Sequence, residues 1–382
     1  MILAKRAWAL GLFVVLGCAG APGRRDAASA GAAADADAAG RVFVYVGMAG
    51  GELVLFHLDP STGILARRGT VSGGRAPSSL ARSVERESLI AVDGNTGQAA
   101  AFSMDSKSGA LKSVARIATG GAHPSGATLD DTGKYVLSAH PAAGRVSVLA
   151  ITQSGGLNAI GTFAAGAGAH TVVVHPSQIV FVSNSRAGTV SQYTFNTGTG
   201  MLTPKPGPAL ALPSGAAPTR MVCHPSGRWV YLLDEGTGSV AVYGFDGDLK
   251  ALSPISSQVI STLIEGAARG RSRPADRPAN RPVDLAVSPT GRFLYVTNRG
   301  PDDVAAFAID GAGVLKLVGH TPGGGRAPGA LSVDPTGKFL IVANEGGKSL
   351  SVSSIDSTTG ALGSGHVVML PAPPISVLAV KP

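Results

Sequence analysis

The chain has 382 residues, with 53 glycines, 25 prolines and only 15% charged residues, which excludes a disordered polymer and points to a compact, turn-rich β protein. The formal charge of +8 is concentrated in two short places, Lys5-Arg6 and the arginines Arg269, Arg271, Arg273, Arg277 and Arg281. The second group sits in a Pro/Ala/Arg stretch with no aromatic residue to stack a base, so the charge does not describe a nucleic-acid surface.

In chain order, Lys5 and Arg6 precede an apolar run from Ala7 to Leu16, too short to span a bilayer and suited to the core of a secretory signal. Val15-Leu16-Gly17-Cys18 resembles the bacterial lipobox, which predicts a signal peptide over residues 1–17 and lipidation of Cys18. Residues 18–40 are Ala/Gly-rich without a period that buries a face, and read as a flexible tether. The expected location is the bacterial cell envelope, with the membrane touched through the lipid alone. Cys223 is the one cysteine left in the body, so no disulfide within the domain is expected, and it reads as a buried strand residue rather than a nucleophile.

From residue 41 onward one apolar pentad recurs seven times: 43–47, 89–93, 136–140, 180–184, 230–234, 294–298 and 340–344. The copies are spaced by 46, 47, 44, 50, 64 and 46 positions, the period of a four-stranded propeller blade. Alternating runs such as Val240–Asp246 and Val304–Asp310 follow the pentads, and turn signals such as Thr62-Gly63, Ser108-Gly109 and Asp246-Gly247 follow those runs. Glycine there is expected to supply the positive φ of a hairpin. A further apolar strand precedes six pentads and ends in turns such as Asp334-Pro-Thr-Gly-Lys338. The first pentad lacks it, and the missing copy is Pro374–Pro382 at the other end of the chain. The prediction is an all-β, seven-bladed β-propeller over residues 41–382, closed by pairing of its N- and C-terminal strands in one blade. The 64-residue spacing marks a basic loop insertion over 266–281.

Innermost strands ring a central channel, so polar residues at their starts and at the pentad ends converge. The sequence offers His123, His140, His170, Arg220, Asp234, Glu235, Asp284, Asn298, Arg299, Asn344 and Glu345. Among these, His170 and Glu235 are suited to general-base work, and Arg220 and Arg299 to a carboxylate or oxyanion. Arg299 and Glu235 follow pentads whose counterparts carry small or neutral residues, so the repeat itself does not require them. An ion pair between Arg299 and a carboxylate of a neighbouring blade is the purely structural alternative. His175 and His224 precede Pro-Ser turns and read as turn residues, and the Asn or Asp ending most pentads reads as a turn cap. No Walker-type loop, His-Glu-x-x-His helix, Cys-x-x-Cys pair or Gly-x-Ser-x-Gly elbow occurs, so neither cofactor nor metal is expected.

Val230–Glu235, Ser288–Gly300, Thr321–Gly325 and Leu340–Asn344 together resemble the lactonase propellers, a family that includes 6-phosphogluconolactonases and muconate-lactonising enzymes. The resemblance implies a seven-bladed fold and hydrolysis of a lactone ester, with a small lactone or carboxylate ligand in the channel mouth. By that resemblance His170, Glu235 and Arg299 match family positions. Gly168, Ala286 and Gly329 stand where the family carries a histidine, a histidine and an arginine. Arg220 is displaced by one position, and such a shift on a regular strand turns a side chain to the opposite face. Tyr295-Val-Thr-Asn298 also echoes the Tyr-Val-Thr-Asn-repeat surface propellers, which implies, as the alternative, a non-catalytic binding or scaffolding module.

Overall fold

The computed structural model describes residues 41–207, 209–262 and 280–382, without the side chains of 256–259. The signal segment, Cys18, the tether and nearly all of the 266–281 insertion therefore lie outside the described residues.

The pentads form the second strand of each blade: Val42–Met48, Ser88–Asp93, Tyr135–His140, Ile179–Asn184, Trp229–Asp234, Phe293–Arg299 and Phe339–Asn344. Apart from Arg299 at one end, every residue in them is buried. Both faces of such a strand meet a neighbouring blade, which is why the pentads are continuously apolar rather than alternating. In the first blade Phe43 and Tyr45 pack towards the second blade, while Val42, Val44, Val46 and Met48 pack towards the seventh. Seven apolar clusters result among the described residues, one at each junction between blades.

The innermost strands, in ring order, are Pro374–Val380, Pro77–Ser83, Gly126–Leu129, Ala169–His175, Pro218–Cys223, Arg281–Val287 and Pro328–Val333. The last strand of the chain pairs antiparallel with the first, from Phe43 opposite Val380 to Gly47 opposite Ser376, and this closes the ring. No open edge is then left at the junction of the termini.

Turn glycines hold blades together as well as bending the chain. Gly63, Gly109, Gly200, Gly313 and Gly360 all have positive φ, and a Cβ on any of them would drive into Phe339, Phe43, Tyr135, Trp229 or Phe293, respectively, of the preceding blade. The Asp246-Gly247 turn departs from expectation, because the left-handed residue there is Lys250, at φ 48°, and not Gly247. His175 and His224 are more than turn residues. Each ring contacts its own turn serine through Nδ1, and through Nε2 it contacts a carbonyl of the next blade, Gly227 and Gly291. Several pentad ends do cap turns: Asp93 Oδ1 accepts the Asn95 and Thr96 amides, and Asp234 Oδ1 those of Gly236 and Thr237.

Candidate functional site

The innermost strands begin irregularly. In at least five of them the register slips by one or more residues just past the opening residue, at Ser78, His170, Thr219, Val283 and Gly329-Ala330. A bulge of this kind re-aims the next side chain. The strand-parity argument thus fails at Arg220: Thr219 is the bulged, buried residue, and Arg220 faces the channel.

Two residues past Pro374, Pro77, Pro124, Ala169, Pro218, Pro282 and Pro328 the seven blades carry Ser376, Ser79, Gly126, Thr171, Arg220, Asp284 and Ala330. Most of the small side chains here tie one blade to the next. Ser376 donates to the Pro77 carbonyl, Thr171 donates to that of Thr219, and Ser79 accepts the Ala127 amide. Between the fifth and sixth blades this role falls to an ion pair, Arg220 Nε to Asp284 Oδ1 at 3.4 Å. Asp284 was recognisable by this comparison of equivalent positions, since it and Arg220 alone are charged there.

These strand starts and the pentad ends enclose a cavity of about 690 Å³. Its fifth-to-seventh-blade wall carries Arg220, Asp284, Arg299 and Glu345, and the wall of the first three blades carries Ser78, Ser79, Asn95, Ser125 and Ser376 with His123 at the rim. Arg299 donates through Nη2 to Glu345 of the next blade and through Nε to the Pro328 carbonyl at 3.1 Å. Among the described residues, Arg220 Nη2 and Arg299 Nη1 have no protein partner, so each guanidinium keeps a donor for a ligand.

The sequence-predicted residues divide into two layers. Arg220 and Arg299 line the cavity, whereas His170 stands behind Arg220, with Nδ1 3.1 Å from its Nη1. Arginine only donates, so Nδ1 is the acceptor and the imidazole proton resides on Nε2. Burial, then the Arg220 charge and to a smaller extent that of Arg281, lowers the His170 pKa to about 4, against a backbone hydrogen bond at Thr219. Glu235 faces Arg281, 2.5 Å from its Nε, in an exposed pair between the fifth and sixth blades. The carboxylates that meet the cavity are instead Asp284 and Glu345. Burial raises the Asp284 pKa, while the Arg220 charge and the Leu331 and Leu285 amides oppose that shift. Asp284 Oδ2 accepts the Leu331 amide at 3.2 Å, which orients the carboxylate. Cys223 is a free thiol in an innermost strand, pushed up to about 12 by burial. Among the described residues no three His, Cys, Asp or Glu side chains are placed to share a metal ion.

The chemistry this arrangement offers is a basic carboxylate beside two guanidinium groups, each with a spare donor. Comparison with known proteins is consistent in kind. Residues 43–375 match the family described as "Lactonase, 7-bladed beta-propeller". The chain is 28% identical over 250 residues to a 6-phosphogluconolactonase of Formosa agariphila, covering 61% of this chain and 67% of that protein. It is 26% identical over 267 residues to the 6-phosphogluconolactonase of Bacillus subtilis, covering 67% and 73%. Among solved structures, a periplasmic gluconolactonase of Pseudomonas aeruginosa superposes with a TM-score of 0.78 at 24% identity, covering 90% of this chain and 100% of that one.

Proposed function

The chain belongs to the lactonase family of seven-bladed β-propellers, and from that premise we propose that it hydrolyses a lactone ester in the cavity ringed by its innermost strands. The observation that carries this reading is the pairing of Arg220 with Asp284 and of Arg299 with Glu345 on one cavity wall. Asp284 takes a proton from water, and the hydroxide formed attacks the lactone carbonyl. Charge then develops on the carbonyl oxygen, where Arg220 Nη2 and Arg299 Nη1 donate to it. As the intermediate collapses, the ring C–O bond breaks and the protonated Asp284 returns its proton to the departing alkoxide. His170 acts behind this layer, as the acceptor that fixes Arg220. The family relationship supports this activity over a purely binding propeller.

The test is steady-state hydrolysis of a panel of δ- and γ-lactones by the wild type and by Arg220→Met and Arg299→Met. Removing one oxyanion donor lowers kcat by about 100-fold or more. Variants that keep wild-type kcat would remove the guanidinium groups from the reaction. We also propose that the protein is exported and anchored through Cys18, on the strength of Lys5-Arg6, the short apolar run and the lipobox-like Val15–Cys18. Labelled palmitate should enter the wild type and not Cys18→Ser, and equal labelling of both would refute the anchor.

A further inference from the structure

Resting on the lactonase reading, we propose that the cavity takes uncharged, polyhydroxylated lactones and discriminates against lactones that carry a phosphate. Among the described residues the only arginine or lysine side chains lining it are Arg220 and Arg299, and each is already held by a lining carboxylate, Asp284 and Glu345. Among the described residues the lining therefore offers hydrogen-bond donors with no net positive charge. A phosphate dianion is bound most tightly by unpaired Arg or Lys or by a helix N-terminus, and the described residues contain no helix. Among the described residues the lining offers that charge no unpaired cation, and the two carboxylates, Asp284 and Glu345, add to the negative charge of the cavity.

The opposite wall is suited to hydroxyl groups. Ser79 Oγ accepts the Ala127 amide and so retains its own proton to donate, and the Asn95 side-chain amide has no partner among the described residues. Ser125 and Ser376 donate to the carbonyls of His170 and Pro77, which leaves their oxygens able to accept. These neutral groups line the same cavity as the ion pairs, and Arg220 Nη1 lies 3.5 Å from the Ser125 carbonyl. A lactone ring placed between them sets its carbonyl on the charged wall and its hydroxyls on the serine wall.

The experiment compares kcat/KM of the full chain on D-glucono-δ-lactone and on its 6-phosphate. In parallel, calorimetry measures binding of the corresponding δ-lactam and its 6-phosphate, which keep the ring but resist hydrolysis. The expected result is at least a ~10-fold preference for the unphosphorylated form in both, the scale of one charge-assisted contact. Glu345→Gln, which releases Arg299, should raise affinity for the phosphorylated lactam by about tenfold. A wild type that prefers the phosphorylated form, that binds neither lactam, or whose phosphate affinity Glu345→Gln leaves unchanged would overturn the proposal. Preferential binding of the neutral lactam without turnover of either lactone would refute the hydrolase reading and leave the charge rule standing.

Discussion

Replacing Asp284 by asparagine removes the proposed base while preserving most of its packing. The amide oxygen keeps the Leu331 amide while the new NH2 faces the Leu285 amide that the other carboxylate oxygen accepted, and Arg220 keeps its contacts with His170 Nδ1 and Thr171 Oγ1. What is lost is the carboxylate 3.4 Å from Arg220 Nε, in a pair whose side chains are 27% and 21% exposed. Partial exposure screens the lost charge, and the Leu285 amide loses its acceptor, so the stability cost is about 1–3 kcal/mol. The kinetic cost is far larger, because a positioned base contributes about 10²–10⁴ in rate. Burial raises the Asp284 pKa, so the acid limb of kcat/KM in the wild type should lie above the ordinary carboxylate value and vanish in Asp284→Asn. Acid release at constant ionic strength, followed across the pH range, measures both effects. A variant that folds and keeps its rate within a few-fold of the wild type, with the same acid limb, would refute the assignment.

Other perturbations separate the architecture from the chemistry. His170 binds its proton less readily in the folded state, with its pKa lowered from the ordinary 6.5 to about 4, so stability should fall as pH drops from 6.5 towards 4, by at most about 3 kcal/mol. In His170→Gln, thermal unfolding should show a shallower fall over that window, and an unchanged slope would contradict it. Gly313→Ala places a Cβ 2.6 Å from the Trp229 ring at φ 82° and should cost about 1–3 kcal/mol in denaturant unfolding. Gly247→Ala, which meets open space, should be neutral or slightly stabilising. Deleting Pro374–Pro382 strips the inner strand from the first blade and exposes Val42–Met48. Scattering and gel filtration should then show aggregation, whereas a monomeric, cooperatively folding product would refute ring closure as a stabilising device.

The fold was legible in the sequence because each blade repeats the same physical demand. A second strand buried on both faces must be apolar throughout, and a ring closed across its termini must leave one strand copy at the far end of the chain. The site was less legible, for two reasons. A bulge at Thr219 reversed the facing deduced for Arg220, and nothing in the local pattern Pro218-Thr-Arg220 announces it. The partners of the candidate residues also come from neighbouring blades: Arg299 meets Glu345, Glu235 meets Arg281, and His170 meets Arg220. Such pairs, some 46 to 50 residues apart in the chain, follow from the packing of blades and not from any motif. Gly247 shows the same limit on a small scale, since its turn places the left-handed conformation three residues later, at Lys250.

The central claim is that the paired guanidinium and carboxylate groups on one channel wall open a lactone ring. Its most direct test is the initial rate of D-glucono-δ-lactone opening by the purified full chain, measured above the spontaneous rate. The account predicts saturable turnover that Arg299→Met reduces by about 100-fold. A rate indistinguishable from spontaneous opening across the lactone panel would contradict it.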